Sequence, residues 1–182
     1  MFPRAFFRRL GLVCCVAGLV SLAAGRAEAQ LFEVVDNEPD FIAFGAGIFD
    51  VIDRGNTTAQ FNFEYRSNRR LWIFKPYGGL MTSIKGAVYG YAGLRLDLFF
   101  GRRWVLTPST AFGAFEKGSG KDLGSALEFR SGIEIAYRLD DRSRIGAGLF
   151  HLSNAGVGNR NPGEEAVVLY YAIPVDWFAR HR

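Results

Sequence analysis

The feature that most constrains this chain is an alternation of apolar and polar residues along extended segments. From Thr58 to Arg66, aromatic and aliphatic side chains occupy every second position, and Gln, Asn, Glu and Arg occupy most positions between them. The segment from Ser125 to Arg138 largely repeats the pattern. A period of two is that of a β-strand, whose successive side chains point to opposite faces. The alternation therefore predicts strands with one apolar face and one charged face.

Two architectures accept such strands. One is a secreted soluble β-sandwich or lipocalin-like barrel, which turns its apolar face inward. The other is a membrane β-barrel, which turns its apolar face towards lipid and keeps a polar lumen. Periodicity alone does not say which face is inside. A transmembrane helix is not predicted, because no segment after the N-terminal region approaches 18 consecutive apolar residues.

The number and length of the segments favour the membrane barrel. We predict eight strands, near residues 41–53, 57–66, 70–79, 86–99, 103–115, 124–138, 143–154 and 165–178. Tight turns are expected at 67–69, 101–102 and 140–142, and longer loops at 80–85, 116–123 and 155–164. An even number of strands, with short turns on one rim and longer loops on the other, is typical of outer-membrane barrels. The predicted fold class is therefore all-β, an eight-stranded antiparallel transmembrane β-barrel.

Tyr and Trp residues near the ends of these segments are expected to form interfacial girdles. They are Tyr65, Trp72, Tyr77, Tyr89, Tyr91, Trp104, Tyr170, Tyr171 and Trp177.

The first 29 residues have a different character. Three arginines precede an apolar run over residues 10–24, and Ala27-Glu28-Ala29 provides a small-x-small cleavage site. This pattern predicts a secretory signal peptide over residues 1–29 and a barrel domain over 30–182. Both cysteines lie in the leader, which also holds four of the 22 basic and one of the 18 acidic residues. The remaining chain then has 18 basic and 17 acidic residues and a net charge of +1, so no nucleic-acid partner is expected.

One segment, residues 151–165, contains a candidate base, a candidate nucleophile and two carboxylates. His151 and Ser153 are two positions apart, so they project from the same face of a strand, about 7 Å apart along it. An imidazole within reach of a hydroxyl is the minimum needed to make a serine nucleophilic. A carboxylate would orient and stabilise the imidazole, while Asn154 and the backbone amides around Gly156 offer hydrogen-bond donors for an oxyanion. A polar rim with an ordinary Asn-Pro-Gly turn is the alternative interpretation.

The parity of these positions favours a lipid substrate. His151 and Ser153 share their face with aliphatic residues of the same strand, and Glu165 shares the apolar face of the next one. Catalytic groups on the apolar face would meet a substrate that never leaves the membrane. Glu164 and Glu165 are adjacent, and a shift in the loop register would exchange them; parity favours Glu165.

At this point the sequence resembles the lipid A 3-O-deacylase (PagL) family of bacterial outer-membrane barrels. The resemblance is specific in the segment from Phe150 to Glu165, which contains the run His151-Leu152-Ser153-Asn154-Ala155, and it covers the rest of the barrel loosely. The Phe74-Lys75-Pro76-Tyr77 stretch also looks like the family's third strand. It implies an esterase with His151, Ser153 and Glu165 as its triad. It also implies Asn154 and Gly156 at the oxyanion and Asn161 as a supporting loop residue.

The resemblance further implies lipid A or lipopolysaccharide as substrate, outer-membrane lipids as surroundings and no cofactor, and it leaves homodimer formation open. No Cys/His cluster suggests a metal site. The alternative function is that of a non-enzymatic small barrel that serves adhesion, membrane stability or transport of small molecules.

Overall fold

The computed structural model describes residues 37–177, and the predicted signal peptide lies outside them. Nine strands make up nearly all of its regular structure. They are β1 (Phe41–Phe49), β2 (Thr58–Arg66), β3 (Lys75–Ser83), β4 (Val88–Arg95), β5 (Leu98–Phe100), β6 (Trp104–Glu116), β7 (Leu127–Arg138), β8 (Arg144–Ser153) and β9 (Glu164–Pro174). Within this part of the chain, no helix has the length and apolar character needed to cross a membrane.

The strands close into an eight-position antiparallel barrel. Consecutive strands pair from β1 to β4 and from β5 to β9, and β1 pairs with β9 to complete the ring. β4 and β5 occupy one position, because both pair with β6. Their ladder is interrupted where Leu96 N–H donates to the carbonyl of Pro108 at 3.0 Å. Proline has no N–H, so Pro108 cannot donate the second hydrogen bond of this residue pair. We therefore treat β4 and β5 as one strand with an interruption at this point.

The two ends of the barrel differ in the segments that connect the strands. We call one the loop end, formed by residues 50–57, 84–87, 117–126 and 154–163. The other is the turn end, formed by 67–74, 101–103 and 139–143 together with both ends of the described chain.

The third predicted strand, 70–79, is placed too early, since β3 spans Lys75–Ser83. Leu71 and Phe74 instead exchange two backbone hydrogen bonds across a turn in which Trp72 has a φ of 63°. The predicted 80–85 loop is consequently the shorter segment 84–87.

The two faces of the barrel wall carry opposite chemistry. Phe61 and Phe63 of β2 are about half exposed, while the alternating Glu64 and Arg66 are buried in the lumen. β7 repeats this arrangement, with Ile133 outside and Glu134 inside. An apolar outer surface around a charged lumen is that of a membrane barrel and the reverse of a soluble one. The apolar face predicted from the alternation therefore points outward.

The lumen is filled by side chains. Arg66 donates to Glu134 through two nitrogens at 3.1 and 2.8 Å and to Glu64 through Nε at 2.8 Å. The cavity beside these groups has a volume of about 10 Å³, which is room for about one water molecule. Four of the tyrosines expected at the membrane interfaces belong to this filling and are nearly inaccessible to solvent: Tyr77, Tyr89, Tyr91 and Tyr170. Their expected place in the girdles is wrong, because parity turns them inward.

The exposed Tyr and Trp side chains of the described strands and turns gather at the turn end. Trp72 and Trp104 are 81% and 50% exposed. Tyr65 and Tyr171 are also exposed, and they lie near the turn-end limits of β2 and β9. The outward aromatic residues nearer the loop end are phenylalanines such as Phe112 and Phe129.

Candidate active site

The register of β8 and β9 brings a histidine and a carboxylate together on the outer face. His151 lies directly opposite Glu165, and the two side chains meet with His151 Nδ1 3.2 Å from Glu165 Oε1. Both remain partly exposed, at 45% and 32% of their side-chain surfaces. The contact orients the ring through Nδ1 and leaves Nε2 for another partner.

The neighbouring carboxylate, Glu164, points the other way. It is fully buried, lies opposite the inward-facing Leu152, and accepts the backbone N–H of Asp50 at 3.1 Å. The backbone carbonyl of Glu165 also accepts an N–H from the same loop, that of Val51 at 3.0 Å. The register thus puts Glu165, not Glu164, beside His151, which is the pairing that parity favoured.

Ser153 ends β8 on the same side as His151. It is partly exposed and lies opposite Phe129 of β7. Within residues 37–177 its hydroxyl makes no hydrogen bond, so the structure places Ser153 and His151 on one face without joining them directly. A serine and histidine that approach only when substrate binds are common in unliganded hydrolases.

Asn154 holds the segment that follows the serine. It is fully buried, and its Nδ2 donates to the carbonyls of Leu123 and Arg160, both at 2.9 Å. Its Oδ1 accepts the Gly156 N–H at 3.0 Å, and its own N–H donates to Asn161 Oδ1 at 3.1 Å. The predicted oxyanion groups, Asn154 and Gly156, are therefore engaged within the loop in this structure, and Asn161 contacts the same loop through the Asn154 N–H.

The segment after Asn154 is a tight turn in an uncommon conformation. Ala155 and Gly156 have φ angles of 53° and 83°, and Val157 N–H closes the turn onto the Asn154 carbonyl at 3.0 Å. Positive φ at both central positions is typical of a type I′ turn, in which alanine is disfavoured. The alanine is therefore held in a strained conformation next to the candidate nucleophile.

Gly163 is a contributor to the site that the sequence did not reveal. It is buried, has a φ of 70°, and a β-carbon added there would lie 3.0 Å from His151 Cε1. The absence of a side chain thus makes room for the imidazole at the Cε1–Nε2 edge. The run Asn161-Pro162-Gly163 does not indicate this contact in the sequence, and only the strand pairing shows what lies against its glycine.

The 117–126 loop joins the other three segments of the loop end. Ser119 N–H donates to the Lys85 carbonyl at 2.9 Å, and Lys121 binds Asp50 at 2.6 Å. The carbonyl of Leu123, a buried residue, is one acceptor of the Asn154 amide. Burial opposes the charge of Lys121, but its hydrogen bonds to Asp50 and Asp53 prevail and raise its pKa.

Asp122 also links the 117–126 loop to the 154–163 segment. Its carboxylate forms ion pairs with Arg160 at 2.8 Å and with Lys117 at 3.1 Å. A hydrogen bond from the Gly124 N–H, assisted by Lys117 and Arg160, lowers the pKa of its carboxyl. The site therefore rests on a network that spans the whole loop end.

No group of three or more His, Cys, Asp or Glu side chains suited to a metal ion occurs among residues 37–177. The chemistry available at the site is that of a histidine–carboxylate pair beside a serine.

Comparison with known proteins relates this arrangement to an enzyme family. A family model described as lipid A 3-O-deacylase (PagL) matches residues 54–174. The solved structure described as the outer membrane enzyme PagL is 18% identical, with a TM-score of 0.57, and the match covers 74% of this chain and 99% of that one. A de novo designed transmembrane β-barrel is 8% identical, with a TM-score of 0.52 over 76% of this chain and 100% of the design. No curated protein sequence matches the chain.

Proposed function

Because the chain belongs to the lipid A 3-O-deacylase (PagL) family, and is thus an outer-membrane lipid A deacylase, we propose that it works by a lipid-facing Ser–His–Glu triad. Ser153 is the nucleophile, His151 the general base and Glu165 the acid that orients it. The bond broken is the ester that links an acyl chain to the 3-oxygen of lipid A.

The contact between His151 Nδ1 and Glu165 Oε1 is the observation that carries this proposal. Ionisable side chains on the lipid-facing surface of a barrel are costly, and the cost is lower near the interfaces. His151 and Glu165 lie within two residues of the loop-end limits of their strands. A paired histidine and glutamate at this position, with a serine two residues away, supports esterase chemistry on a membrane-embedded substrate.

The proposed reaction has two steps. Ser153 Oγ attacks the ester carbonyl carbon while His151 Nε2 accepts the hydroxyl proton, and Glu165 stabilises the imidazolium through Nδ1. His151 then returns the proton to the departing sugar oxygen, which leaves the fatty acyl group on Ser153. A water molecule, deprotonated by His151, cleaves this acyl-serine ester and releases the free fatty acid.

Asn154 and the Gly156 N–H are proposed to steady the oxyanion. Because each is engaged within the loop, donation to substrate requires that a bond such as Asn154 Nδ2 to the Arg160 carbonyl be exchanged. Loss of one oxyanion donor typically costs about 10²–10³ in turnover. Asn154→Ala is therefore expected to leave more activity than Ser153→Ala, with some loss of loop order. Asn161 supports the loop through the Asn154 N–H.

The proposed orientation puts the loop end at the outer leaflet. Outer-membrane barrels keep their short turns and termini on the periplasmic side, and this arrangement brings His151 to the depth at which lipopolysaccharide ester groups lie. The leader over residues 1–29 is proposed to be removed on export, so the mature chain begins at Gln30.

The direct test is mass spectrometry of lipid A from outer membranes with and without the protein. Wild type should remove one 3-O-linked acyl chain, whereas Ser153→Ala and His151→Ala should leave lipid A intact and the barrel folded. Circular dichroism reports the folding. Unchanged deacylation by Ser153→Ala would overturn the serine mechanism. No deacylation by wild type would favour the second candidate, a non-enzymatic barrel for adhesion or stability. The filled lumen argues against a transport pore.

A further inference from the structure

Glu128 is a fully buried carboxylate that faces the lumen near the loop-end limit of β7. Among residues 37–177, no hydrogen-bond donor reaches either of its side-chain oxygens. The residue opposite it on β6 is Gly113, which has no side chain. Arg130, two positions along the same face, donates instead to Tyr170 at 3.0 Å. A buried carboxylate without a partner is unfavourable, which points to a partner in another state of the site.

Asn154 is the polar side chain on the other side of Glu128. β7 and β8 pair as far as Phe129 and Ser153, so the next residues, Glu128 and Asn154, lie opposite each other. Both are fully buried, and the Asn154 side chain lies close to the carboxylate. The Asn154 Nδ2 donates elsewhere in this structure, to two loop carbonyls. A rotation of the Asn154 amide would let Nδ2 donate to Glu128 instead.

The same amide holds one of the proposed oxyanion donors. Asn154 Oδ1 accepts the Gly156 N–H at 3.0 Å, which keeps that hydrogen from the substrate. The Asn154 side chain is buried on the lumenal side, whereas the ester lies on the outer face, so this side chain acts on the oxyanion through Gly156. Rotation of the amide towards Glu128 would release the Gly156 N–H. The oxyanion of the tetrahedral intermediate would then be its new acceptor.

We propose that Glu128 is a positioning residue, which accepts the Asn154 amide during the reaction and thereby frees the Gly156 N–H for the oxyanion. The inference rests on the proposed function, because it needs the tetrahedral intermediate at Ser153. Two differences favour the exchange once the oxyanion is present. The buried carboxylate gains the partner that it lacks, and a hydrogen bond to a carboxylate is stronger than one to a backbone carbonyl.

The test measures kcat and KM on lipid A, from released fatty acid, for the purified full barrel in detergent. Glu128→Leu should lower kcat about 10–100-fold, less than the loss of an oxyanion donor itself, because Glu128 acts indirectly. KM should stay unchanged, because the contact forms only during the reaction. Urea titration should show unchanged or higher stability, because an apolar side chain replaces an unpaired buried carboxylate. Glu128→Gln keeps an acceptor oxygen and should retain most of the activity.

Asn154→Ala supplies a second readout, because Glu128 is proposed to act through the Asn154 side chain. In the Asn154→Ala background, Glu128→Leu should have no further effect on kcat. Glu134→Gln is the matched control, because it replaces another buried, lumen-facing carboxylate of β7. It should lower stability and leave kcat unchanged, the opposite of the pattern expected for Glu128→Leu.

The remaining outcomes separate this inference from the proposed function. An unchanged kcat in Glu128→Leu, or an equal further loss in the Asn154→Ala background, would overturn the inference and leave the proposed function standing. Loss of kcat together with stability, or failure to fold, would also overturn it, because Glu128 would then have a structural role. Failure of wild type to release fatty acid would overturn both the inference and the proposed function.

Discussion

Glu164 and Glu165 are adjacent in sequence and have the same type of side chain, but these side chains lie on opposite faces of the barrel wall. Glu164 faces the lumen, is fully buried and accepts a backbone N–H from Asp50. Glu165 faces outward, is partly exposed and meets His151. The comparison shows that a single step in strand parity separates a residue that anchors a loop from one suited to catalysis. It also separates the charged filling of the lumen from an outer surface where charge is rare.

The sharpest way to break this comparison is to truncate each glutamate in turn. Glu165→Ala should lower turnover about 10⁴-fold, as expected when a triad acid is lost, because His151 loses its orientation and its counter-charge. Glu164→Ala should change turnover only a few-fold while it destabilises the barrel, because the buried Asp50 N–H loses its acceptor. Initial rates and urea unfolding of both variants give the answer, and a reversed pattern would contradict the observed register.

The lumenal side of the comparison is tested at Glu134. Glu134→Ala should lower the free energy of unfolding by about 3–5 kcal/mol, because Arg66 then keeps a buried charge without its two-nitrogen contact. Glu134→Gln is the matched control; it retains an acceptor oxygen and should lose less. Urea titration in lipid vesicles measures both. Equal stability of the two variants would contradict this expectation, because it would mean that the acceptor oxygen kept by glutamine contributes nothing to stability.

The lipid-facing side is tested at Ile133, the residue directly before Glu134. Ile133→Arg should cost about 2–4 kcal/mol of unfolding free energy, the range for arginine on the lipid face near the midplane. Ile133→Leu should cost much less because it stays apolar. The same vesicle assay applies, and tolerance of the arginine would contradict the outward assignment of this face.

The smallest expected effect concerns Gly163, which leaves space for the imidazole of His151. Gly163→Ala should lower turnover about 10–100-fold, because the new methyl group displaces the His151 ring from its working position. Gly101→Ala is the control, since Gly101 also has a positive φ but its added β-carbon would meet nothing within 4 Å. Activity loss in both variants would indicate a general effect of backbone strain.

The strand pattern was predictable wherever the alternation is regular. β2 and β7 follow directly from it, and so does the outward direction of His151 and Glu165. The third strand was misplaced because the apolar run from Leu71 to Phe74 imitates a strand, while Pro76-Tyr77-Gly78-Gly79 lacks alternation. Propensity alone cannot reveal that Trp72 adopts a positive φ and turns the chain.

Within the site, the sequence indicated which face of a strand each residue occupies, but not which groups it contacts. The order of Ser153 and Asn154 already implies opposite faces, so burial of the asparagine follows from parity. Its partners do not, because the Leu123 carbonyl is 31 residues distant in sequence. The closeness of Gly163 to His151 likewise depends on how β8 and β9 pair.

The exposed Tyr and Trp side chains lie at the turn end, and this placement affects the vertical position of the barrel in the bilayer. These amphipathic rings act as anchors at a membrane–water boundary, and here they fix the turn end. Tyr171 lies beside Ile145, six residues along β8 from His151, which corresponds to roughly 20 Å along the strand or about 14 Å of height at a 45° tilt. His151, Glu165 and Ser153, the proposed catalytic groups, therefore lie at a fixed height above one boundary, and bilayer thickness decides where the opposite boundary falls relative to them. In the proposed orientation, a thicker membrane would place the serine among the acyl chains, and a thinner one would place it at the level of the sugars.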